Sequence, residues 1–70
     1  MSELEQLRKR IKDSAYDGIT TAHIKDDYEP AGQMMITGLV NSGEFISRRD
    51  LPANGVGGDW KIWAKGFEPY

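Results

Sequence analysis

The sequence predicts an α+β fold in which three helices precede a C-terminal antiparallel β-hairpin. Near the N-terminus, apolar residues recur at the spacing of an amphipathic helix. Capping and breaking residues divide the middle of the chain into two further helices. The C-terminal third holds two segments of strand-forming residues around a stretch rich in Pro, Asn and Gly. We expect a single domain over residues 1–70, with a thin core, because a chain of this size buries only about 60% of its unfolded surface.

The first helix is predicted from its cap and its period. Ser2 and Glu5 match a capping box, in which each side chain accepts a hydrogen bond from a backbone N–H group near the helix start. The pair Asp17-Gly18 is a typical breaker, so the helix should end near Tyr16. Apolar residues share one face of it at spacings of three and four: Leu4, Leu7 and Ile11.

A short extended stretch and a short second helix should follow. Ile19 begins the extended stretch, and Thr20 is a suitable N-cap for the helix. The acidic segment Asp26–Glu29 should then form the turn into the third helix.

The third helix is expected from Pro30 to about Asn41. Pro30 suits the first helical position because the N–H group that it lacks would be unpaired there anyway. Ile36 and Leu39 are the predicted core positions, and Gly43 is placed to end the helix in a left-handed conformation.

The hairpin strands are predicted at residues 44–49 and 60–65. The loop at about residues 50–59 should be mobile, and the tail 66–70 is too short to classify. Strand alternation places Trp60 on the core side and Trp63 on the outer side, between two lysines. An outward Trp63 would suit contact with nucleic acid or protein; the alternative is that it packs under the first helix or the tail.

Composition excludes several functions. The chain has no cysteine, so disulfides and thiolate metal sites are excluded. No apolar run approaches the roughly 20 residues of a membrane span, and the charged N-terminus lacks a signal core, so we expect a cytoplasmic protein. A lone His23 is poor evidence for a metal site, and adjacent Asp26 and Asp27 would diverge by roughly 100° on a helix. We therefore predict no enzyme, catalytic residue, metal or cofactor.

Two segments, "GITTAHI" and "YEPAGQMMITGLVNSGEFISRR", resemble the winged helix-turn-helix family of small bacterial or phage proteins. The resemblance covers about residues 4–65 and implies a winged helix with the hairpin as its wing. It also implies binding of double-stranded DNA, with bases read by the third helix and the backbone contacted by the wing. The predicted DNA-binding residues are Gln33, Thr37, Asn41, Arg48, Arg49, Lys61, Trp63 and Lys65.

Charge departs from the family pattern and leaves two functions open. The third helix has no Lys or Arg, and the turn before it carries three acidic groups, which phosphates repel. The basic run Arg8–Lys12 is either a solvated helix face or a further binding surface. The leading prediction is a small DNA-binding transcription regulator of phage or mobile-element type, with a homodimer as one way to double its basic surface. The alternative is a protein-interaction module on the same scaffold, such as a phage factor that binds a host protein.

Overall fold

A computed structural model describes residues 2–50 and 58–68 of the chain. Within these ranges the fold is α+β, as predicted, with three α-helices and a three-stranded antiparallel sheet. The helices are α1 (Glu3–Ser14), α2 (Thr21–Asp27) and α3 (Gly32–Asn41), with a 3-10 turn at Ala15–Asp17. The strands are β1 (Ile19–Thr20), β2 (Phe45–Arg49) and β3 (Trp60–Ala64).

The first helix forms as its cap and period predict. The Ser2 hydroxyl accepts a hydrogen bond from the Glu5 backbone N–H at 3.2 Å. Leu7 and Ile11 are completely buried, whereas Leu4 remains 43% exposed. The α-helix ends at Ser14, and the 3-10 turn carries the chain on to Gly18, whose positive φ of 69° ends the helical run.

The junction between α2 and α3 corrects two predictions. Asp26 and Asp27, which were expected in the turn, are the last residues of α2. Pro30 does not occupy the first position of α3 but lies in the preceding turn, and Ala31 is the N-cap. The Ala31 N–H donates to the Tyr28 carbonyl at 2.8 Å, which closes a turn over residues 28–31. The helix α3 therefore begins at Gly32, two residues later than predicted. The close approach of α2 and α3 also requires a glycine at the helix start, since a Cβ on Gly32 would lie 2.7 Å from the Lys25 Cα.

The sheet has the strand order β1-β3-β2, so β3 is the central strand. It pairs antiparallel with β2, as predicted for these two segments, and the register places Phe45 opposite Ala64 and Arg49 opposite Trp60. The middle of the predicted mobile loop, residues 51–57, lies outside the described residues, as does Tyr70.

The core lies between the three helices and one face of the sheet, which we call the inner face. Ile36 and Leu39 are buried in it, as predicted. Met35 and Val40 are partly buried and pack against the same cluster. The cluster of buried residues comprises Leu7, Ile11, Ile24, Ile36, Leu39, Phe45, Ile62 and Ala64.

The two tryptophans lie on the predicted faces of the sheet, but their predicted burial is wrong. Trp63 is 1% exposed, whereas Trp60 is 57% exposed. Trp63 does point to the outer face of the sheet, but the 3-10 turn covers that face, and the Trp63 indole N–H donates to the Tyr16 carbonyl at 3.0 Å. Trp60 points to the inner face, but at the first residue of β3 it lies beyond the edge of the core.

In the part of the chain that the structure describes, no helix combines the length and the apolar character that a membrane crossing requires.

Candidate nucleic-acid interface

A shallow pocket of about 260 Å³ opens between α2, α3 and the paired strands β2 and β3. Its described lining residues are all neutral or basic, and none is an aspartate or glutamate. They are Thr21, Lys25, Gln33, Ile36, Ser47 and Trp60. Among these described lining residues, Lys25 is the one that carries a charge.

The α2 wall of the pocket comes from two residues one helical turn apart. Thr21 and Lys25 lie at positions i and i+4, so their side chains share one side of α2. The Thr21 hydroxyl donates to the Trp60 carbonyl at 3.2 Å, which ties the start of α2 to the start of β3. The Lys25 side chain is exposed at the pocket rim.

The strand wall of the pocket presents the aromatic ring of Trp60. Arg49 is the direct partner of Trp60 in the antiparallel register, so the two side chains lie on the same face of the sheet. The Arg49 Nε donates to the Gly58 carbonyl at 3.3 Å, which restrains the Arg49 side chain. Sequence reasoning missed Trp60 because alternation predicts a face and not where the core ends. Its position as the first strand residue, after the sequence Gly-Gly-Asp, was the available signal.

The predicted base-reading residues form a single exposed row on α3. Gln33, Thr37 and Asn41 follow one another at spacings of four. The Gln33 side-chain amide donates to the Thr37 hydroxyl at 3.3 Å, and that hydroxyl donates to the Gln33 backbone carbonyl at 3.0 Å. Of the three, Gln33 lines the pocket.

The predicted basic residues of the hairpin do not form one patch. Arg48 lies opposite Lys61 on the outer face of the sheet, away from the pocket, while Arg49 is on the inner face. The Lys61 ammonium lies 3.3 Å from an Asp50 carboxylate oxygen and donates to the Asp17 carbonyl at 3.4 Å. Lys65 is exposed just past the end of β3. Of these four basic residues, the register brings Arg49 to the pocket's face.

Trp63 contributes nothing to this surface, because its ring is buried beneath the 3-10 turn. The prediction that it projects outward as a contact residue is therefore corrected. His23 is exposed on α2. Among the described residues, no three His, Cys, Asp or Glu side chains group in a way that could hold a metal ion.

The acidic turn is partly neutralised within the molecule. Arg10 donates to an Asp27 carboxylate oxygen at 2.8 Å, and hydrogen bonds with Asp27 and then Tyr28 raise the pKa of Arg10 above its ordinary value. The Asp27 carboxylate is thus held towards α1, whereas Lys25 on the same helix faces the pocket. The surface that would face phosphates therefore carries less negative charge than the sequence alone indicates.

In the basic run of α1, the two arginines pair with acidic side chains and the two lysines are exposed. Arg8 pairs with Glu44 and lies over the Phe45 ring, 5.7 Å from the ring centroid. Lys9 and Lys12 are exposed. Arg10 is exposed as well but pairs with Asp27, and none of these three cations lines the pocket.

A second, more apolar surface lies between α1 and α3. It is an open groove of about 560 Å³, which we call the α1–α3 groove. Met34 is 78% exposed and Leu4 43% exposed along it. Its lining residues are Glu3, Leu4, Arg8, Ala31, Met34, Met35, Gly38, Leu39 and Ser42.

Comparisons of the chain with protein-family models, with curated proteins and with solved structures find no match. The element order and strand order are compatible with the winged helix family that the sequence resembles.

Proposed function

We propose that this chain is a small winged helix protein that binds double-stranded DNA and acts as a transcription regulator. The pocket between α2, α3 and the β2–β3 pair, with its rim, is the surface that faces the DNA. The observation that carries this proposal is the absence of aspartate and glutamate from the described pocket lining, in a chain of net charge -2.

Charge segregation supports DNA as the ligand. Affinity for DNA comes largely from the neutralisation of phosphates, so a chain with 11 acidic and 9 basic residues must keep its acids off one face. Lys25 lines the pocket from α2, and Arg49 lies on the same face of the sheet as the pocket residue Trp60. Asp27 is directed to Arg10 instead.

The exposed row on α3 supplies groups suited to base edges. The amides of Gln33 and Asn41 match the donor and acceptor pattern of adenine in the major groove, and the Thr37 methyl suits a thymine methyl. The row begins at the pocket and continues along the helix, so phosphate and base contacts would come from one continuous surface. Gln33→Ala should therefore reduce discrimination between sequences more than it reduces overall affinity.

The test is a fluorescence anisotropy titration with a random-sequence duplex at low and moderate salt. We expect affinity to fall steeply with salt. Lys25→Ala should weaken binding to every sequence and reduce the salt slope by about one. Lys9→Ala is the matched control, since Lys9 is exposed on α1 and outside the pocket, and it should change neither quantity. Equal losses for the two variants, or no binding at low salt, would contradict the proposal.

Protein recognition is the second candidate function, and the α1–α3 groove favours it. Met34 exposes most of its surface beside Leu4, and flexible methionines are common on surfaces that bind apolar ligands. The occupant that such a groove between two helices suits is an amphipathic helix of a partner protein. A partner whose binding is lost in Met34→Glu and kept in Lys25→Ala, in a chain without DNA affinity, would favour this second function.

A further inference from the structure

The pocket beside Trp60 has the composition of a site for a single heteroaromatic ring. Trp60 offers a flat face that is 57% exposed, and Ile36 forms an apolar floor. Gln33 and Ser47 add an amide and a hydroxyl that can pair with ring nitrogens and exocyclic groups. Lys25 also lines the pocket and supplies a positive charge that suits the phosphate of a nucleotide.

The size of the pocket restricts the ligand. Pockets for drug-sized molecules run from about 300 to 1,000 Å³. At about 260 Å³ this pocket is just below that range, which is room for one ring system.

The walls of the pocket are held in place before any ligand arrives. The Thr21 hydroxyl of α2 donates a hydrogen bond to the Trp60 carbonyl. The Gln33 side-chain amide donates a hydrogen bond to the Thr37 hydroxyl, one turn along α3. Within the described residues, the Trp60 ring pairs with no other aromatic ring, whereas Tyr16 and Phe67 pair with each other. With 57% of its surface exposed, Trp60 presents ring surface on which a base can stack.

A paired B-form duplex cannot use this ring, because the faces of its bases are already stacked on their neighbours. An aromatic side chain gains a base face only when that base is unstacked or flipped out of the helix. The cost of unstacking is least for a base that has no partner.

We propose that the pocket beside Trp60 takes one unpaired nucleobase, so that the chain prefers DNA containing an unpaired base over perfectly paired duplex. This inference rests on the proposed function, because it assigns a ligand to the same surface. The base stacks on Trp60, its edge meets Gln33 and Ser47, and its phosphate meets Lys25.

The experiment compares three duplexes of equal length and similar charge. The first is perfectly paired, the second carries one unpaired thymine, and the third carries an abasic nucleotide at the same bulge. The abasic probe keeps the backbone distortion and removes only the base. We expect the thymine bulge to bind on the order of tenfold more tightly than the other two and to quench Trp60 fluorescence.

Two variants test whether the preference for the thymine bulge depends on the Trp60 ring. Trp60→Phe keeps a stacking face and should retain most of the preference, whereas Trp60→Leu should lose it. The fluorescence of buried Trp63 reports that each variant remains folded.

Two results overturn the inference. Salt-dependent binding that is equal for the paired, thymine-bulge and abasic probes leaves DNA binding intact and eliminates the base pocket. Equal, tighter binding of both bulged probes means that backbone shape is recognised, and it also eliminates the base pocket. No binding of any probe at low salt overturns both the pocket and the proposed function.

Discussion

Trp60 and Trp63 lie three residues apart in the same strand and have opposite environments. Trp63 is enclosed on the outer face of the sheet, whereas Trp60 is largely exposed at the edge of the inner face. The contrast shows that in a domain this small, burial depends on which segment covers each part of a strand. The central position of β3 in the sheet does not by itself bury the side chains on either of its faces.

The enclosure of Trp63 depends on the chain that leaves α1. The 3-10 turn Ala15–Asp17 and the next residue, Gly18, lie over the ring, and a Cβ at Gly18 would be only 2.4 Å from the Trp63 Nε1. No described element covers Trp60 in this way, and its environment is a pocket instead. Trp63 therefore belongs to the scaffold and Trp60 to the surface.

The largest expected effect is the difference in stability between the two alanine variants. Trp63→Ala should lower the free energy of unfolding by about 3–5 kcal/mol, because it removes a fully buried aromatic side chain. Trp60→Ala should change it by about 0.5 kcal/mol or less, as at other exposed positions. Urea denaturation followed by circular dichroism measures both, with Trp63→Leu as a milder variant should Trp63→Ala fail to fold. Similar losses of unfolding free energy at the two positions would contradict the assignment of Trp63 to the scaffold and Trp60 to the surface.

Gly18 offers a sharper test of the cover over Trp63. Its backbone, at φ 69° and ψ -177°, lies in a region that only glycine adopts readily, and an added methyl would meet the indole ring. Gly18→Ala should cost about 2–4 kcal/mol. Gly43→Ala is the control, because φ is 82° there and no atom lies within 4 Å of the added Cβ, so about 1 kcal/mol should be lost.

Thermal or urea unfolding of the glycine variants should be repeated in the Trp63→Leu background. Partial recovery of Gly18→Ala, with no recovery of Gly43→Ala, would locate the conflict at the indole ring. Equal costs at the two glycines would mean that Trp63 and Gly18 are not in close contact.

A smaller effect is expected for the aromatic pair formed by Tyr16 of the 3-10 turn and Phe67 of the tail. The rings of Phe67 and Tyr16 meet edge to face, with centroids 5.1 Å apart. Such pairs contribute about 0.5–1.5 kcal/mol, so a double-mutant cycle of Phe67→Ala and Tyr16→Ala should give a coupling free energy in this range. A coupling of zero would show that the tail does not pack on the turn in solution.

The smallest effect concerns the pH dependence of the tail. Hydrogen bonds from its own backbone N–H and from that of Gly66, the latter at 2.7 Å, lower the pKa of Glu68. Because the folded pKa lies below the unfolded one, the stabilisation is complete above the unfolded pKa and is lost as the pH falls through the folded pKa. An NMR titration should therefore place the Glu68 midpoint below the ordinary value for glutamate, and Glu68→Gln should remove this part of the pH dependence. A midpoint at or above the ordinary value would mean that the hydrogen bonds are absent.

Local signals were sufficient to predict most of the secondary structure. The Ser2 cap, the spacing of Leu7 and Ile11, and the two segments of strand-forming residues need only neighbouring residues, and all appear in the structure. The start of α3 was misplaced because the Tyr28–Ala31 turn decides it. The tryptophans were misassigned because their burial depends on contacts between residues far apart in sequence, such as Trp63 with Tyr16.

The candidate site was less predictable than the fold. Gln33, Thr37 and Asn41 were expected on one face of α3, and helical spacing alone places them there. The pocket itself combines residues from α2, α3, β2 and β3, so no single motif encodes it. Strand alternation places Arg48 and Arg49 on opposite faces of the sheet. Which of these faces carries the pocket depends on how the helices pack on the sheet.

The most direct test of the central claim, that the Trp60 side of β3 faces DNA while Trp63 belongs to the scaffold, is an NMR titration of the ¹⁵N-labelled chain with duplex DNA. Its two tryptophans give two indole N–H signals, which Trp60→Phe assigns. We expect the Trp60 indole signal and the backbone amides of Lys25 and Ser47 to shift, while the Trp63 indole signal stays in place. Shifts confined to Leu4, Met34 and their neighbours in the α1–α3 groove, with an unchanged Trp60 signal, would contradict the claim.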